Sequence, residues 1–445
     1  NLKKEWAKYG DNNLSEDEDF NKGTVKREKF NYDWENVLNF AKAQSTGRAA
    51  DTKYFYYETE LKFYSEMYNF IKSLGTQALV TGSNHWELWD ADILANSKFD
   101  FIDRHSYWDH PSGGWTLQEN ISFLNKPILK SKYNCISELA QARVYKKPFT
   151  VSEWNFLMPN EFRAGAPVIM ASYGKFQGWD AMLQFNFSNY EWKNELTAFC
   201  DFSTSPDILA MWFPAVMIFK YDYLKESKEK IVQFISENDI FYNKNYSFKF
   251  INNSPEIATL IKIARTYEKS NESKNFSPVL KKDAALTLNG ELYLNYKKGI
   301  FQINSDKIQG AIGFFKNNDL KFRNLKIKSN NKYAAIFLTS LDKKPLFNSS
   351  ELILTAAARV ENSDMKFNPS HTTIIYGGNS PIIIEPIFAT LNMNLQKFKK
   401  IKIYCLDENN YIKNEYKNFI LNENSLKITL DENYQCFNYY IKIER

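Results

Sequence analysis

Four short apolar segments in the first half of the chain, each ending in polar or aromatic residues, are the strongest constraint on its fold. The segments are QALVTGSN (77–84), FDFIDRHSYW (99–108), PFTVSEWN (148–155) and AMLQFNFSN (181–189). Helix-like stretches precede the last two of them: SELAQARVYK (137–146) and EFRAGAPVIMASYGKFQG (161–178). Because strands that alternate with helices are typical of parallel sheets with helical crossovers, this pattern predicts an α/β region.

An amphipathic helix is predicted ahead of the first strand. Between residues 55 and 74, apolar residues recur at spacings of three and four, and Gly75 is placed to end the helix. After about Tyr223 the pattern changes to short strands separated by Asn, Asp, Gly and Ser. We therefore expect two parts, an α/β part over 1–223 and an all-β, sandwich-type part over 224–445.

Composition excludes some classes of function. The net charge is +5, from 57 basic and 52 acidic residues, a small excess that favours a solvated surface over a nucleic-acid groove. No run of 18 apolar residues occurs, so no membrane span is expected. The four cysteines lie far apart without a CxxC pair, which argues against a zinc site and leaves room for one long-range disulfide. No metal or other cofactor is predicted.

Glu153 is the principal candidate for chemistry. In parallel α/β proteins, reactive residues collect where strands end, and Glu153 follows the buried positions Phe149 and Val151. A lone glutamate is more often a surface residue that caps a helix or pairs with a lysine. The strand context favours a functional carboxylate instead.

His105 and Tyr107 alternate in DRHSYWDHP, so they face the same side of an extended segment. Tyr107 is predicted to donate a hydrogen bond to Glu153 and to hold it ionised. The alternative is that both side chains serve only the structure, with their polar atoms hydrogen-bonded inside the barrel wall.

Six tryptophans fall on or near the proposed loop face: Trp86, Trp89, Trp108, Trp115, Trp179 and Trp192. Aromatic rings beside amides and imidazoles suit a glycan, since sugars present apolar C–H faces edged by hydroxyls. About half of these tryptophans are expected to pack in the hydrophobic core and to have no part in binding. The candidate substrate-binding residues are Asn84, His85, Trp108, Trp154, Asn155, Trp179 and Asn186.

The motifs TGSNHW, DRHSYWDHP, PFTVSEWNFLMPNEF and FQGWDAMLQFNFS resemble the last four β/α units of cellulase-like retaining glycoside hydrolases, which are built on a (β/α)8 barrel. The resemblance implies that Glu153 is the nucleophile and that His105 and Tyr107 contact it and the sugar. The strand-rich half looks like the β-domain appended to some bacterial members. The expected fold is therefore the C-terminal half of a TIM-type barrel followed by a sandwich-type domain.

The chain departs from this family in one important respect. Members carry an acid/base glutamate, preceded by asparagine, after strand four, and no such Asn-Glu precedes TGSNHW. We therefore expect the acid/base to belong to a missing N-terminal segment, with an oligo- or polysaccharide as the substrate. The first residues lack a signal-peptide core and a Met, which favours a processed product or fragment. A secreted or cell-surface location is slightly favoured.

Two other functions compete with the glycosidase hypothesis. A carbohydrate-binding protein without catalysis would explain the missing acid/base directly. A metal-dependent hydrolase could use His85, His105, His110 and either Asp103 or Asp109 as ligands, although their spacing matches no standard zinc pattern.

Overall fold

The structure is a computed structural model that describes residues 6, 14–26, 47–84, 90–188, 194–242, 254–269, 283–316, 318–433 and 436–445. Within these ranges the α-helices are α1 (Gly47–Ser73), α2 (Asp90–Asn96), α3 (Cys135–Ala142), α4 (Ala166–Gln177), α5 (Pro206–Phe219) and α6 (Glu237–Phe241). Helix α1 confirms that a helix spans most of the predicted residues, although its buried residues lie in its first half, and Gly75 follows it at a φ of 83°. The side chain of Asn134 caps α3 by accepting from two backbone amides, which satisfies donors that the helix leaves free.

Three parallel strands follow the predicted segments. They are β1 (Ile102–Trp108), β2 (Phe149–Phe156) and β3 (Ala181–Gln184), and they form one sheet in the order β1-β2-β3. The segment 77–84, predicted as a strand, is irregular. It still contacts β1, because the guanidinium of Arg104 donates to the carbonyl of Ser83 at 3.3 Å.

The remaining strands are short. In chain order they are β4 (Lys230–Phe234), β5 (Lys262–Thr266), β6 (Ala284–Leu286), β7 (Leu292–Asn295), β8 (Ile300–Asn304), β9 (Ile308–Gly313), β10 (Leu320–Lys321), β11 (Leu325–Ser329), β12 (Ala334–Ser340), β13 (Glu351–Ala357), β14 (Val360–Ser363), β15 (Lys366–Phe367), β16 (Ile374–Tyr376), β17 (Asn379–Ile384), β18 (Ala389–Asn394), β19 (Lys400–Leu406), β20 (Ile412–Tyr416), β21 (Phe419–Asn422), β22 (Ser425–Leu430) and β23 (Asn438–Glu444).

Two antiparallel sheets dominate the second half. A nine-stranded sheet has the order β20-β19-β23-β13-β12-β9-β8-β7-β6, and a five-stranded sheet has the order β10-β11-β18-β22-β21. Three two-stranded ladders complete the described part of the chain: β4-β5, β14-β17 and β15-β16.

The prediction of a C-terminal half of a TIM-type barrel is wrong. The described residues are 33% strand and 23% helix, and most of the strands belong to the antiparallel sheets. The parallel sheet has three strands, and the next parallel pair, β4-β5, forms a ladder of its own instead of continuing that sheet. A local strand–helix–strand pattern fixes the direction of neighbouring strands, but it does not determine whether further strands continue the sheet toward closure.

Two hydrophobic clusters organise the layers. The larger one joins residues of β1, β2 and α4 to the nine-stranded sheet, for example Tyr173 to Phe301, whose ring centroids lie 5.5 Å apart. The second lies between the nine- and five-stranded sheets, with Leu354 and Leu391 among its fully buried members. Apolar packing therefore continues across the predicted boundary at residue 223, and the antiparallel half supports the parallel sheet.

Among the described helices, none is long and apolar enough to cross a lipid bilayer.

Candidate active site

The candidate site lies on the paired strands β1 and β2, near their C-terminal ends. Asp103, His105 and Tyr107 alternate along β1 and so face one side of the sheet. In the parallel register, His105 lies opposite Glu153, while Asp103 lies opposite Thr150. The sheet thus brings a histidine, a tyrosine and a glutamate together, as the sequence predicted.

Two side chains converge on one oxygen of Glu153. The Tyr107 hydroxyl donates to Oε2 of Glu153, and Nδ1 of His105 lies 3.2 Å from the same oxygen. The Glu153 side chain is 31% exposed, and its other oxygen, Oε1, makes no hydrogen bond to the described residues. The carboxylate is therefore held at one oxygen while about a third of its side chain stays exposed, which suits a group that must react with a ligand.

The far nitrogen of His105 is also occupied. Its Nε2 lies 2.7 Å from Nδ2 of Asn84 and 2.7 Å from Oγ of Ser152, and 3.8 Å from Oδ2 of Asp103. An imidazole ring contacted at both nitrogens has a defined orientation. Asn84, predicted as a sugar ligand, is thus placed beside the catalytic candidates.

Burial keeps the hydroxyl and thiol groups of the site protonated. Burial, followed by the hydrogen bond to Glu153, raises the pKa of Tyr107 well above its ordinary value, so Tyr107 remains a donor at physiological pH. Burial and the charges of Glu153 and Asp201 raise the pKa of Cys200 to about 12. Since a thiolate is the nucleophilic form of cysteine, Cys200 is a poor nucleophile near neutral pH.

Three residues predicted to bind substrate lie in the interior. Trp154 and Trp179 are 3% and 4% exposed, and Trp179 packs against Phe149 at 5.7 Å between ring centroids. Asn155 is 3% exposed, and its Nδ2 donates to the carbonyls of Phe185 and Cys200 at 2.7 and 2.8 Å. The prediction that they contact sugar is corrected: the two tryptophans are core residues, and Asn155 anchors the loops around the site.

The other three residues predicted to bind substrate, Trp108, Asn186 and His85, differ in their surroundings. Trp108 is half-buried, and its Nε1 donates to the carbonyl of Lys126 at 2.8 Å. Asn186 follows β3, and its backbone N–H donates to the carbonyl of Cys200 at 3.1 Å, which places it beside the site. His85 lies outside the described residues.

Aromatic rings extend outward from Tyr107 on both sides. The Tyr107 ring lies 6.1 Å from His110 and 6.5 Å from Phe185, and His110 lies 4.6 Å from Trp115 in an edge-to-face arrangement. Trp115 is 48% exposed and Phe185 is 37% exposed. We call Tyr107, His110, Trp115 and Phe185 the aromatic surface. Sequence reasoning placed Trp115 near the site but did not identify His110 and Phe185 as part of a ring surface.

Strands of the second half support this surface. The loop after β1 pairs with residues near β16: Ser122 bridges Thr373, and the N–H of Phe123 donates to the carbonyl of Thr372 at 2.9 Å. Apolar side chains from the loops of the site and from β14 and β16 form a shared buried cluster that includes Phe123, Phe199 and Ile374. The loop carrying His110 and Trp115 is therefore anchored at its far end.

In the described ranges, no three His, Cys, Asp or Glu side chains are grouped as the ligands of a metal ion would be. Comparison of the chain with known protein families, with curated proteins and with solved structures finds no match.

Proposed function

We propose that this protein is a glycoside hydrolase of the retaining type, acting on a β-linked glycan, with Glu153 as its nucleophile. The observation that carries the proposal is the convergence of the Tyr107 hydroxyl and Nδ1 of His105 on one oxygen of an accessible glutamate. The proposal depends on this site geometry and not on a barrel fold.

In a retaining glycosidase, one carboxylate attacks the anomeric carbon while a second carboxyl group, about 5–5.5 Å away, protonates the leaving oxygen. Glu153 suits the first role, because the contacts of Tyr107 and His105 with Oε2 orient the group and leave Oε1 for bond formation. Asp103 does not suit the second role. Its oxygens accept from Thr150 and Ser152, and its side chain is 9% exposed.

The aromatic surface supports a sugar as the ligand. Trp115 and Phe185 expose ring area on either side of Tyr107, and such rings stack on the apolar faces of pyranoses while nearby polar groups bind the hydroxyls. Asn84, whose Nδ2 lies 2.7 Å from Nε2 of His105, contributes an amide group at the centre.

The test is covalent trapping of Glu153. The protein is incubated with 2,4-dinitrophenyl 2-deoxy-2-fluoro-β-glycosides of glucose, galactose, mannose and xylose, whose leaving group departs without an acid catalyst. We expect release of dinitrophenolate in proportion to the protein, and a glycosyl mass increase on the peptide that contains Glu153. The Glu153→Gln variant should show neither change. Labelling at another residue, or no labelling by any of the four sugars, would contradict the proposal.

A glycan-binding protein without catalysis is the second candidate, favoured by the exposed rings of the aromatic surface. It predicts measurable affinity for an oligosaccharide together with an absence of labelling. The trapping experiment and a binding titration on the same sample therefore separate the two functions.

A further inference from the structure

We propose that Asp103 is the positioning residue that aims Glu153, and that it does so by holding a β-bulge in β2. The structural part of this inference stands on the strand register and on the hydrogen bonds of Asp103, while its kinetic part depends on the proposed function. Sequence analysis named Asp103 only as a possible ligand in the alternative metal-dependent hydrolase, and gave it no role beside Glu153.

The register between β1 and β2 shows the bulge. Asp103 pairs with Thr150, and two residues later His105 pairs with Glu153, which is three residues after Thr150. Strand β2 therefore contains one extra residue in this interval. An extra residue of this kind bends a strand and redirects the side chains that follow it, and bulges are frequent beside active sites.

The bulge changes which side chains share a face. In a regular strand, consecutive residues point to opposite faces of the sheet. Here Ser152 and Glu153 are consecutive, yet both reach the same imidazole: Ser152 Oγ lies 2.7 Å from Nε2 of His105, and Glu153 Oε2 lies 3.2 Å from Nδ1. Without the extra residue, one of these two contacts would be lost.

Asp103 is bonded to the bulge at three points. Its Oδ1 accepts from the backbone N–H of Ser152 at 3.0 Å and from the Thr150 hydroxyl, and its Oδ2 accepts from the Ser152 hydroxyl. Bonds to a carboxylate are stronger than those between neutral groups. The contact with the backbone N–H of Ser152 is the essential one. An extra residue interrupts the regular hydrogen bonding between β1 and β2, and Asp103 gives this N–H a partner in its place.

The variants Asp103→Asn, Asp103→Ala and Ser152→Ala separate these contacts. Asp103→Asn keeps an oxygen for the backbone N–H of Ser152, Ser152→Ala removes only the hydroxyl, and Asp103→Ala removes every contact. The matched control is Asp342→Ala in the antiparallel half. Asp342 also accepts from two hydroxyls, those of Ser340 at 3.0 Å and Ser349 at 2.7 Å, and from backbone N–H groups, those of Ser350 at 2.9 Å and Lys344 at 3.3 Å.

Three measurements are made on the full chain: kcat and KM on an activated β-glycoside that the wild type cleaves, the ¹⁵N signals of the His105 ring, and the crystal structure of Asp103→Ala. We expect Asp103→Ala to lower kcat by about 100-fold with little change in KM, since a displacement of about 1 Å has that effect. Asp103→Asn should retain more activity than Asp103→Ala. The His105 ring signals should shift in both variants, and Asp342→Ala should change neither activity nor these signals.

The outcomes separate the two proposals. Wild-type kcat in Asp103→Ala, combined with loss of turnover in Glu153→Gln, would refute the positioning role and leave the glycosidase proposal intact. Activity that persists in Glu153→Gln, or a wild type that cleaves no glycoside, would refute the glycosidase proposal. In that case the crystal structure of Asp103→Ala tests the role of Asp103 in the bulge. The inference would be refuted if Ser152 and Glu153 kept their contacts with His105 in this variant. If Asp103→Ala does not fold, Asp103→Asn and Ser152→Ala are compared in the same way.

Discussion

Tyr107 reaches Glu153 diagonally across the parallel pair β1-β2. In the strand register Tyr107 lies opposite Asn155, while its hydroxyl donates to Oε2 of Glu153, two positions earlier on β2. The length of the phenol makes this diagonal contact possible, and it leaves the position directly opposite Tyr107 for the buried amide of Asn155, which anchors the neighbouring loops.

Removal of this hydroxyl should weaken catalysis more than folding. We expect Tyr107→Phe to lower kcat/KM by about 10- to 100-fold, because a hydrogen bond to a charged group is worth about 1.5–3 kcal/mol. The measurement is steady-state kinetics on an activated β-glycoside. The control is Tyr440→Phe, since Tyr440 donates to Glu351 at 2.8 Å in the antiparallel half. Equal activity in the two variants would show that the Tyr107 contact does not serve the reaction.

The exposed ring of Trp115 should matter for long glycans. We expect Trp115→Ala to weaken binding of an oligosaccharide by about 5-fold or more, in keeping with the roughly 1 kcal/mol typical of aromatic contacts. A monosaccharide bound at Glu153 should be affected little. Binding is measured by titration calorimetry in a Glu153→Gln background. The control is Tyr411→Ala, whose ring is 73% exposed in the antiparallel half; equal losses in both variants would argue against a specific role for Trp115.

Trp179 should contribute to stability and not to binding. Because it is 4% exposed and packs on Phe149, Trp179→Ala should lower the free energy of unfolding by about 3–5 kcal/mol. Glycan affinity of the folded fraction should stay unchanged. Urea denaturation followed by circular dichroism measures the first effect. A stable variant with reduced affinity would instead support the original prediction of a sugar contact.

A buried carboxyl group outside the site should give stability a pH dependence. Burial raises the pKa of Glu138, which accepts a hydrogen bond from Ser106 at 2.6 Å, to about 7. Because the folded state binds this proton more tightly than the unfolded state does, its stabilising contribution is complete below about pH 4.5 and is lost as the pH rises through 7.

Replacement of Glu138 by glutamine should remove this dependence. Glu138→Gln keeps the shape of the side chain without the charge, so at pH 8 it should be more stable than the wild type by up to about 3 kcal/mol. At pH 4 the two proteins should be nearly equal. Denaturation midpoints between pH 4 and 8 give the comparison, and parallel curves for the two proteins would contradict the prediction.

The disulfide between Cys405 and Cys436 should stabilise the antiparallel half. The two residues are 31 positions apart, and closing a loop of that length contributes about 2–4 kcal/mol by restricting the unfolded chain. The double variant Cys405→Ser with Cys436→Ser should therefore unfold at lower urea concentration than the wild type. Adding a reductant should lower the wild-type midpoint and leave that of the double variant unchanged. A bridge of this kind is typical of proteins that fold in an oxidising compartment.

Local patterns in the sequence predicted the elements around the site well. The alternation of apolar residues identified the strands that carry His105 and Glu153, and the period-two geometry placed Tyr107 on the same face as His105. These predictions succeeded because they depend on contacts between residues close in sequence or on directly paired strands.

The architecture and part of the site did not follow from such patterns. Closure of a barrel depends on long-range pairing that a strand–helix alternation does not specify, and the chain uses antiparallel sheets instead. Strict alternation would put Ser152 on the face opposite Glu153, whereas the bulge brings both to His105. The burial of Trp154 and Trp179 could not be distinguished from exposure, since tryptophan serves equally in cores and in binding surfaces.

The anchoring of the loop after β1 by residues near β16 has a consequence for synthesis. Ser122 and Phe123 find their partners, Thr373 and Thr372, far downstream in the chain. As the polypeptide leaves the ribosome, β1 and β2 emerge long before that anchor exists. The loop after β1, which carries His110 and Trp115, therefore reaches its final conformation late in translation. By then His105, Tyr107 and Glu153 have already left the ribosome.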